Sequence, residues 1–181
     1  MPSIRRQVAL TLFVVSCAWA QNAHVQNVLS MDEFVQDWKI SKQFTLDVAN
    51  AMPAEYYDFT PSAGEMTFAE QMLHIAEANV YRFLQITGSK TPFELTDPKK
   101  LPKDKASVMR MLAQSFDYVI GVLPQITEEQ LKRTFHTDWK GRPDPDGRAM
   151  IVNMFVHVAH HRAQCEVYLR LKGITPPTYV F

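Results

Sequence analysis

Residues 153–173 constrain this chain more than any other stretch: Asn-Met-Phe-Val-His-Val-Ala-His-His-Arg-Ala-Gln-Cys-Glu-Val-Tyr-Leu-Arg-Leu-Lys-Gly. They predict one helix ending at Gly173, a residue suited to a left-handed helix stop, with Pro176 and Pro177 barring any continuation. At about 100° per residue, Arg162, Glu166 and Arg170 share one side and are expected to mark the solvent face. Asn153, His157, His161, Gln164, Tyr168 and Leu171 fall on the opposite, inward side. His157 and His161 are four apart, about 40° around the axis. Two imidazoles one turn apart can both reach one metal ion. The competing reading is a pair of packed, hydrogen-bonded core histidines. His160, about 60° to the other side of His157, reads as a neighbour of the site or a surface residue.

The rest of the chain sets the scale. Its 181 residues suit one domain, and 46% hydrophobic residues suffice for a core. Nineteen basic and nineteen acidic residues cancel, so no electrostatic footprint for nucleic acid is present.

Residues 1–20 read as a secretory signal peptide: Arg5 and Arg6, an apolar core from Val8 to Val15, then Ala18-Trp19-Ala20 before Gln21. Val14-Val15-Ser16-Cys17 also resembles a lipobox, in which Cys17 would carry a lipid anchor. Simple cleavage is the favoured reading, and both routes export the protein to the periplasm or the extracellular space. After cleavage no membrane segment is expected, and Cys165 alone remains, which allows no intrachain disulfide. Residues 21–29 are expected to be a flexible lead-in, and residues 30–181 the folded domain.

Within that domain four helices are expected. Ser30-Met-Asp-Glu33 is a capping box opening a helix from Met31 to about Ala51. Residues 53–64 form a loop whose aromatics need burial. Thr67-Phe-Ala-Glu70 caps a second helix running to about Thr87, with His74 to one side of its apolar arc. Taken bare, His74 reads as a surface residue. The third helix spans about Asp104 to Leu123, carrying the stripe Val108, Leu112, Ser115, Val119 and Val122. Thr127 opens a short helical turn. Phe135, His136 and Trp139 lie in a turn-rich connection that either plugs the bundle or lies over its end. The final helix starts near Arg148. The fold class is therefore all-α, a four-helix bundle, antiparallel up-down in part.

Zinc accepts neutral imidazole, and catalytic sites commonly use three protein ligands and leave a fourth position open. His157 and His161 supply two. The third must come from His24, His74, His136 or His160. No Cys-x-x-Cys or His-Glu-x-x-His motif is present, which argues against a zinc finger or a zincin protease.

Two motifs add a resemblance. Met66-Thr-Phe-Ala-Glu-Gln-Met-Leu-His74-Ile-Ala resembles the first motif of the DinB superfamily. His157-Val-Ala-His-His161-Arg-Ala-Gln164, continuing through Tyr168-Leu-Arg-Leu-Lys-Gly173-Ile-Thr-Pro-Pro177, resembles the second. The resemblance covers roughly Ser30 to Tyr179 and implies a DinB-like four-helix metalloprotein. In it His74, His157 and His161 would bind a divalent metal, zinc or nickel, with Ala163 standing where relatives usually have glycine. It also implies a thiol- or water-activating enzyme, since characterised relatives include S-transferases and an isomerase using small-molecule thiols. Asn153, Gln164, Glu77 and Tyr81 are candidate outer partners of the ligands, and Cys165 a packing residue. Two function classes follow. One is a metal-dependent hydrolase or thiol S-transferase acting on a small molecule of unspecified identity. The other is a non-catalytic exported bundle that binds metal for stability or sequestration. A homodimer paired through helix faces is a further expectation from the resemblance.

Overall fold

Each long helix begins where a side-chain oxygen can take up backbone N–H groups that the first turn leaves unpaired. In the computed structural model, which describes residues 30–93, 100–137, 141 and 143–181, α1 is Met31–Ala51 and α2 is Phe68–Thr87. α3 is Lys105–Val122, α4 the short Glu128–Lys132, and α5 Gly147–Leu171. The predicted capping boxes at Ser30/Glu33 and Thr67/Glu70 both form, and Thr127/Gln130 adds a third on α4. Asp104 and Asp146 cap α3 and α5. The signal-peptide and lead-in readings, and Trp139, lie outside the described residues.

Side-chain pairings fix the helix directions. Phe34 meets Phe155 and Ser41 meets Arg162, so α1 and α5 run parallel. His74 meets His157 and Gln71 meets His161, so α2 opposes α5. Glu70 meets Lys103 and Asn79 meets Ser115, so α2 and α3 are parallel. The order is up-down-down-up, so the end of α2 and the start of α3 lie at opposite ends of the bundle.

The core forms where the four long helices converge. Trp38 on α1 is fully buried, with a ring of each other helix beside it: Phe83 of α2 at 5.5 Å, Phe116 of α3 at 5.9 Å and Phe155 of α5 at 5.5 Å. The heptad-like stripe of α3 is buried throughout, Ser115 included, its hydroxyl donating to Leu112 O. The loop after α1 is ordered by Tyr57, which buries its ring and donates to Ala49 O at 2.7 Å. Phe135 packs against the core as a partial plug.

Two glycines shape α5. Gly147 starts it against α4, where a Cβ would lie 2.4 Å from Gln130 O, so only glycine permits that approach. Gly173 ends it at φ 74°, with the amides of Gly173 and Ile174 donating to Arg170 O and Leu169 O.

The expected solvent face of α5 is corrected. Arg162 is buried, while Leu171, placed inward by the sequence, is exposed. Arg162 lies in the groove between α5 and α1, donating to Ser41 Oγ (3.1 Å) and Thr45 Oγ1 (3.3 Å), with its guanidinium 4.4 Å from the Phe44 ring centre. Burial pulls its pKa below the ordinary arginine value, with Glu166 opposing the shift. Two hydroxyls and a ring face replace the water that the cation lost.

Candidate metal centre

α2 and α5 oppose each other at one flank of the bundle, and that crossing assembles the site. Neutral imidazole offers one ring nitrogen as a donor to a cation. On α5, His157 and His161 are one turn apart and half-buried. On α2, His74 points across to them. His74 Nε2 and His157 Nε2 are 3.1 Å apart, and one ring nitrogen from each of the three lies within 4.8 Å of the others. The ring centres stand 4.4–4.9 Å apart.

Electrostatics keep these rings neutral. Burial lowers the pKa of His74. His157 falls to about 4, first through burial and then through His74, His160 and Arg82. His161 falls to about 3, again mainly through burial, with His157, His74 and His160 adding. Neutral imidazoles are the form that ligates.

The tautomer of His161 is set from outside. Gln71 Nε2 donates to Gln164 Oε1 (3.0 Å) and to Tyr168 Oη (3.4 Å), which leaves Gln71 Oε1 to accept from His161 Nδ1 at 2.6 Å. Tyr168 Oη in turn donates to Met66 O at 2.8 Å. His161 therefore carries its proton on Nδ1 and keeps the Nε2 lone pair free.

Two tetrahedral ligands about 2.0–2.1 Å from zinc stand about 3.3 Å apart. The His74–His157 separation is close to that, and three neutral nitrogen donors suit zinc- or nickel-type cations. The residues fit a divalent cation. Nδ1 of His157, buried and without a hydrogen-bond partner among the described residues, is the one incomplete element.

The other expected residues fall variously. Gln164 joins the network at one remove, and its amide also meets His160 Nε2 at 2.7 Å. His160 is exposed at the margin, its ring 4.9 Å from that of His161. Asn153 and Tyr81 make no hydrogen bond to the three rings, and Glu77 is half-buried one turn from His74. His136 lies against Asp144, outside the cluster. Cys165 is fully buried, and burial pushes its thiol pKa up, as suits a packing residue. Sequence reasoning missed Gln71, although it sits three residues before His74, on the same face of α2.

The DinB superfamily profile matches residues 38–165, a span that holds all three histidines. The chain belongs to the DinB superfamily. Among the relatives of this DinB protein, the uncharacterized protein YjoA of Bacillus subtilis (strain 168) is 23% identical over 146 residues. That match covers 80% of this chain and 92% of YjoA. The crystal structure of a DinB-like protein from Bacillus cereus superimposes with a TM-score of 0.67 at 21% identity, covering 82% of this chain and 97% of that one. YjoA superimposes at 0.62 with 24% identity, covering 81% and 96%. At these identities the superpositions show the shared fold.

Two predictions test the site's electrostatics. The His157 and His161 pKa values lie below the 6.5 of an unfolded imidazole, so between these limits the unfolded chain binds more protons. Metal-free protein should lose stability as pH falls from about 6.5 toward about 4, read as a falling urea midpoint. A midpoint that is flat or rises on acidification over that window contradicts the assignment. The lowered carboxylates Glu70, Asp104, Glu128 and Asp144 add a loss of the same sign only toward the acid end, because their unfolded values are 4.5 or 3.8, so the upper part of the window, above about pH 5.5, reports the histidines. The second prediction concerns Gln71. Gln71→Ala should weaken metal binding about 10–100-fold by freeing the His161 tautomer, measured by competition with a chromophoric chelator. Wild-type affinity in that variant would show the hydrogen bond to be incidental.

Proposed function

We propose that His74, His157 and His161 hold one divalent cation, zinc or nickel, and that the protein is a metal-dependent hydrolase or thiol S-transferase acting on a small molecule. The observation that carries this is the convergence of three neutral imidazole nitrogens from two helices. No cysteine, carboxylate or fourth histidine joins the cluster among the described residues. A bound cation would supply positive charge that lowers the pKa of a water or thiol at the position the protein leaves open. The chain's own part is positional. α5 sets two ligands one turn apart, α2 brings the third, and Gln71 holds the His161 proton on the outer nitrogen.

A second reading keeps the same three histidines but has the site bind metal for stability or sequestration without turnover. One experiment separates the two. Metal content of the purified protein is measured, and the loaded protein is assayed for ester and phosphoester hydrolysis and for conjugation of a small thiol to an electrophile. One equivalent of metal with turnover supports the enzyme. One equivalent without turnover on any of these supports the binding role, and no stoichiometric metal refutes both.

Export is part of the proposal and rests on residues 1–20. N-terminal sequencing of the secreted protein should begin at Gln21. A mature chain beginning at Cys17 would point to lipidation instead, and one still carrying Met1 would contradict export.

A further inference from the structure

A cavity of about 330 Å³ opens among the starts of α1, α4 and α5 and the turn after α3. Its walls are largely apolar: Met31 and Phe34 of α1, Ile126 and Leu131 around the start of α4, and Ile151 and Val152 of α5. Ser30, the cap of α1, also lines it. The two charged residues on the wall satisfy each other, Arg148 donating to Glu128 at 2.7 Å, so no lone charge faces an occupant. None of the three histidines lines the cavity, which makes the inference independent of the metal centre.

The helices that begin there say what fills it. A capping box is often completed by a hydrophobic staple, in which an apolar residue just before the cap packs on the fourth helical residue. α4 has both parts on the cavity wall: Ile126 precedes the Thr127 cap, and Leu131 is the fourth residue of the helix. α1 has the box, Ser30 and Glu33 each donating a backbone N–H to the other's side chain, and Phe34, its fourth residue, is on the wall. The residue before its cap is Leu29. α2 and α3 lack the pattern, with Met66 and Gln71 at these positions in one and Lys103 and Val108 in the other. Of the two staples aimed at this cavity, one half of one, Leu29, lies before the first described residue.

The chain leading to Leu29 suits the same walls. Gln21-Asn-Ala-His-Val-Gln-Asn-Val-Leu29 contains no Asp, Glu, Lys or Arg, and Val25, Val28 and Leu29 follow the i, i+3, i+4 spacing of one apolar face. Leu29 is bonded directly to Ser30, so its entry is intramolecular. On so short a tether the effective concentration reaches roughly the millimolar range, which a free molecule has to outcompete. We propose that the cavity is the docking site of this chain's own residues 25–29, with Leu29 set against Phe34 and the two valines covering the apolar walls beside it. The folded domain then begins at Val25 and not at Ser30, and whatever precedes Val25 leaves from the end of the bundle where α1 and α5 start.

NMR of the purified chain tests it, since processing at either Gln21 or Cys17 keeps residues 25–29. Cross-relaxation between the Leu29 methyls and the Phe34 ring is expected. The amides of residues 26–29 should exchange with solvent at least about 10-fold more slowly than in an unstructured chain. Leu29→Ser should release that protection, lower the urea midpoint and let the cavity take up the uncharged dye Nile red. Leu29→Met should keep the protection and the midpoint, and Asn27→Ser, off the apolar spacing, should change neither. Wild-type protein that lacks the cross-relaxation, or exchanges these amides at the unstructured rate, overturns the proposal. So does equally tight Nile red uptake by the wild type and Leu29→Ser, which would show the cavity open to small apolar molecules. If Leu29→Ser does not fold, Val25→Ser, farther from the α1 cap, is read in its place, and the wild-type cross-relaxation decides without any variant.

Discussion

His157→Ala protein is expected to be folded and to purify without stoichiometric zinc or nickel, where the wild type carries one equivalent. The ring of His157 is central to the cluster, its Nε2 3.1 Å from that of His74 and its ring centre 4.4 Å from that of His161. Removing it leaves two donors. The loss in affinity should exceed the roughly 10–100-fold that losing an outer partner costs. Stability of the metal-free protein should change modestly, because His157 is half-buried, its Nδ1 has no hydrogen-bond partner among the described residues, and the one polar contact given up is that of its Nε2 with His74. The same substitution should flatten part of the acid-side loss of stability, since the group at about 4 is gone. Unchanged metal stoichiometry in this variant, read by elemental analysis after dialysis, would refute the site. The substitution also separates the metal reading from the packing reading: core histidines alone would give a stability cost and no change in metal.

Trp38→Ala is expected to cost about 3–5 kcal/mol, the largest stability loss of any single change considered. The indole is fully buried and contacts rings from all three other long helices. No single neighbouring side chain can move to fill the space, because each is anchored in a different helix. For a domain of this size the melting temperature should fall by about 10 °C. Trp38→Phe should cost under about 1.5 kcal/mol. It keeps an aromatic ring there and removes an indole N–H that is buried without a partner among the described residues. A loss below about 1 kcal/mol for Trp38→Ala would mean that the four helices do not converge there. Metal content in Trp38→Phe should stay at the wild-type level, because the indole does not touch the three histidines.

How far the site was legible follows from where each residue sits. The His157/His161 pair is an intrahelical relation, fixed by a spacing of four residues, so the sequence shows it directly. His74 belongs to another helix, and its own periodicity places it off the apolar arc of α2. Only the family motif connected it to the pair. The structure supplies the reason it is off the arc: it faces α5 at the bundle flank, not the centre. Gln71 was unmarked because a buried glutamine has no periodic signature. Its role exists only once Tyr168, Gln164 and His161 surround it.

By itself the sequence determined four long helices, the capping boxes that start α1 and α2, the Thr127 cap of α4, the stop at Gly173, and the one-turn separation of His157 and His161. These depend on interactions among residues within about four positions of one another, which the chain carries wherever it goes. Tertiary structure alone decided which way α5 faces. Its apolar residues lie on nearly all sides, so periodicity gives angles between residues but no outward direction. With α2 against one flank and α1 against the other, Arg162 went into a groove, Leu171 into solvent, and Val152, Val156 and Val167 outward. A helix's neighbours, not its own pattern, define inside and outside when no face is uniformly polar.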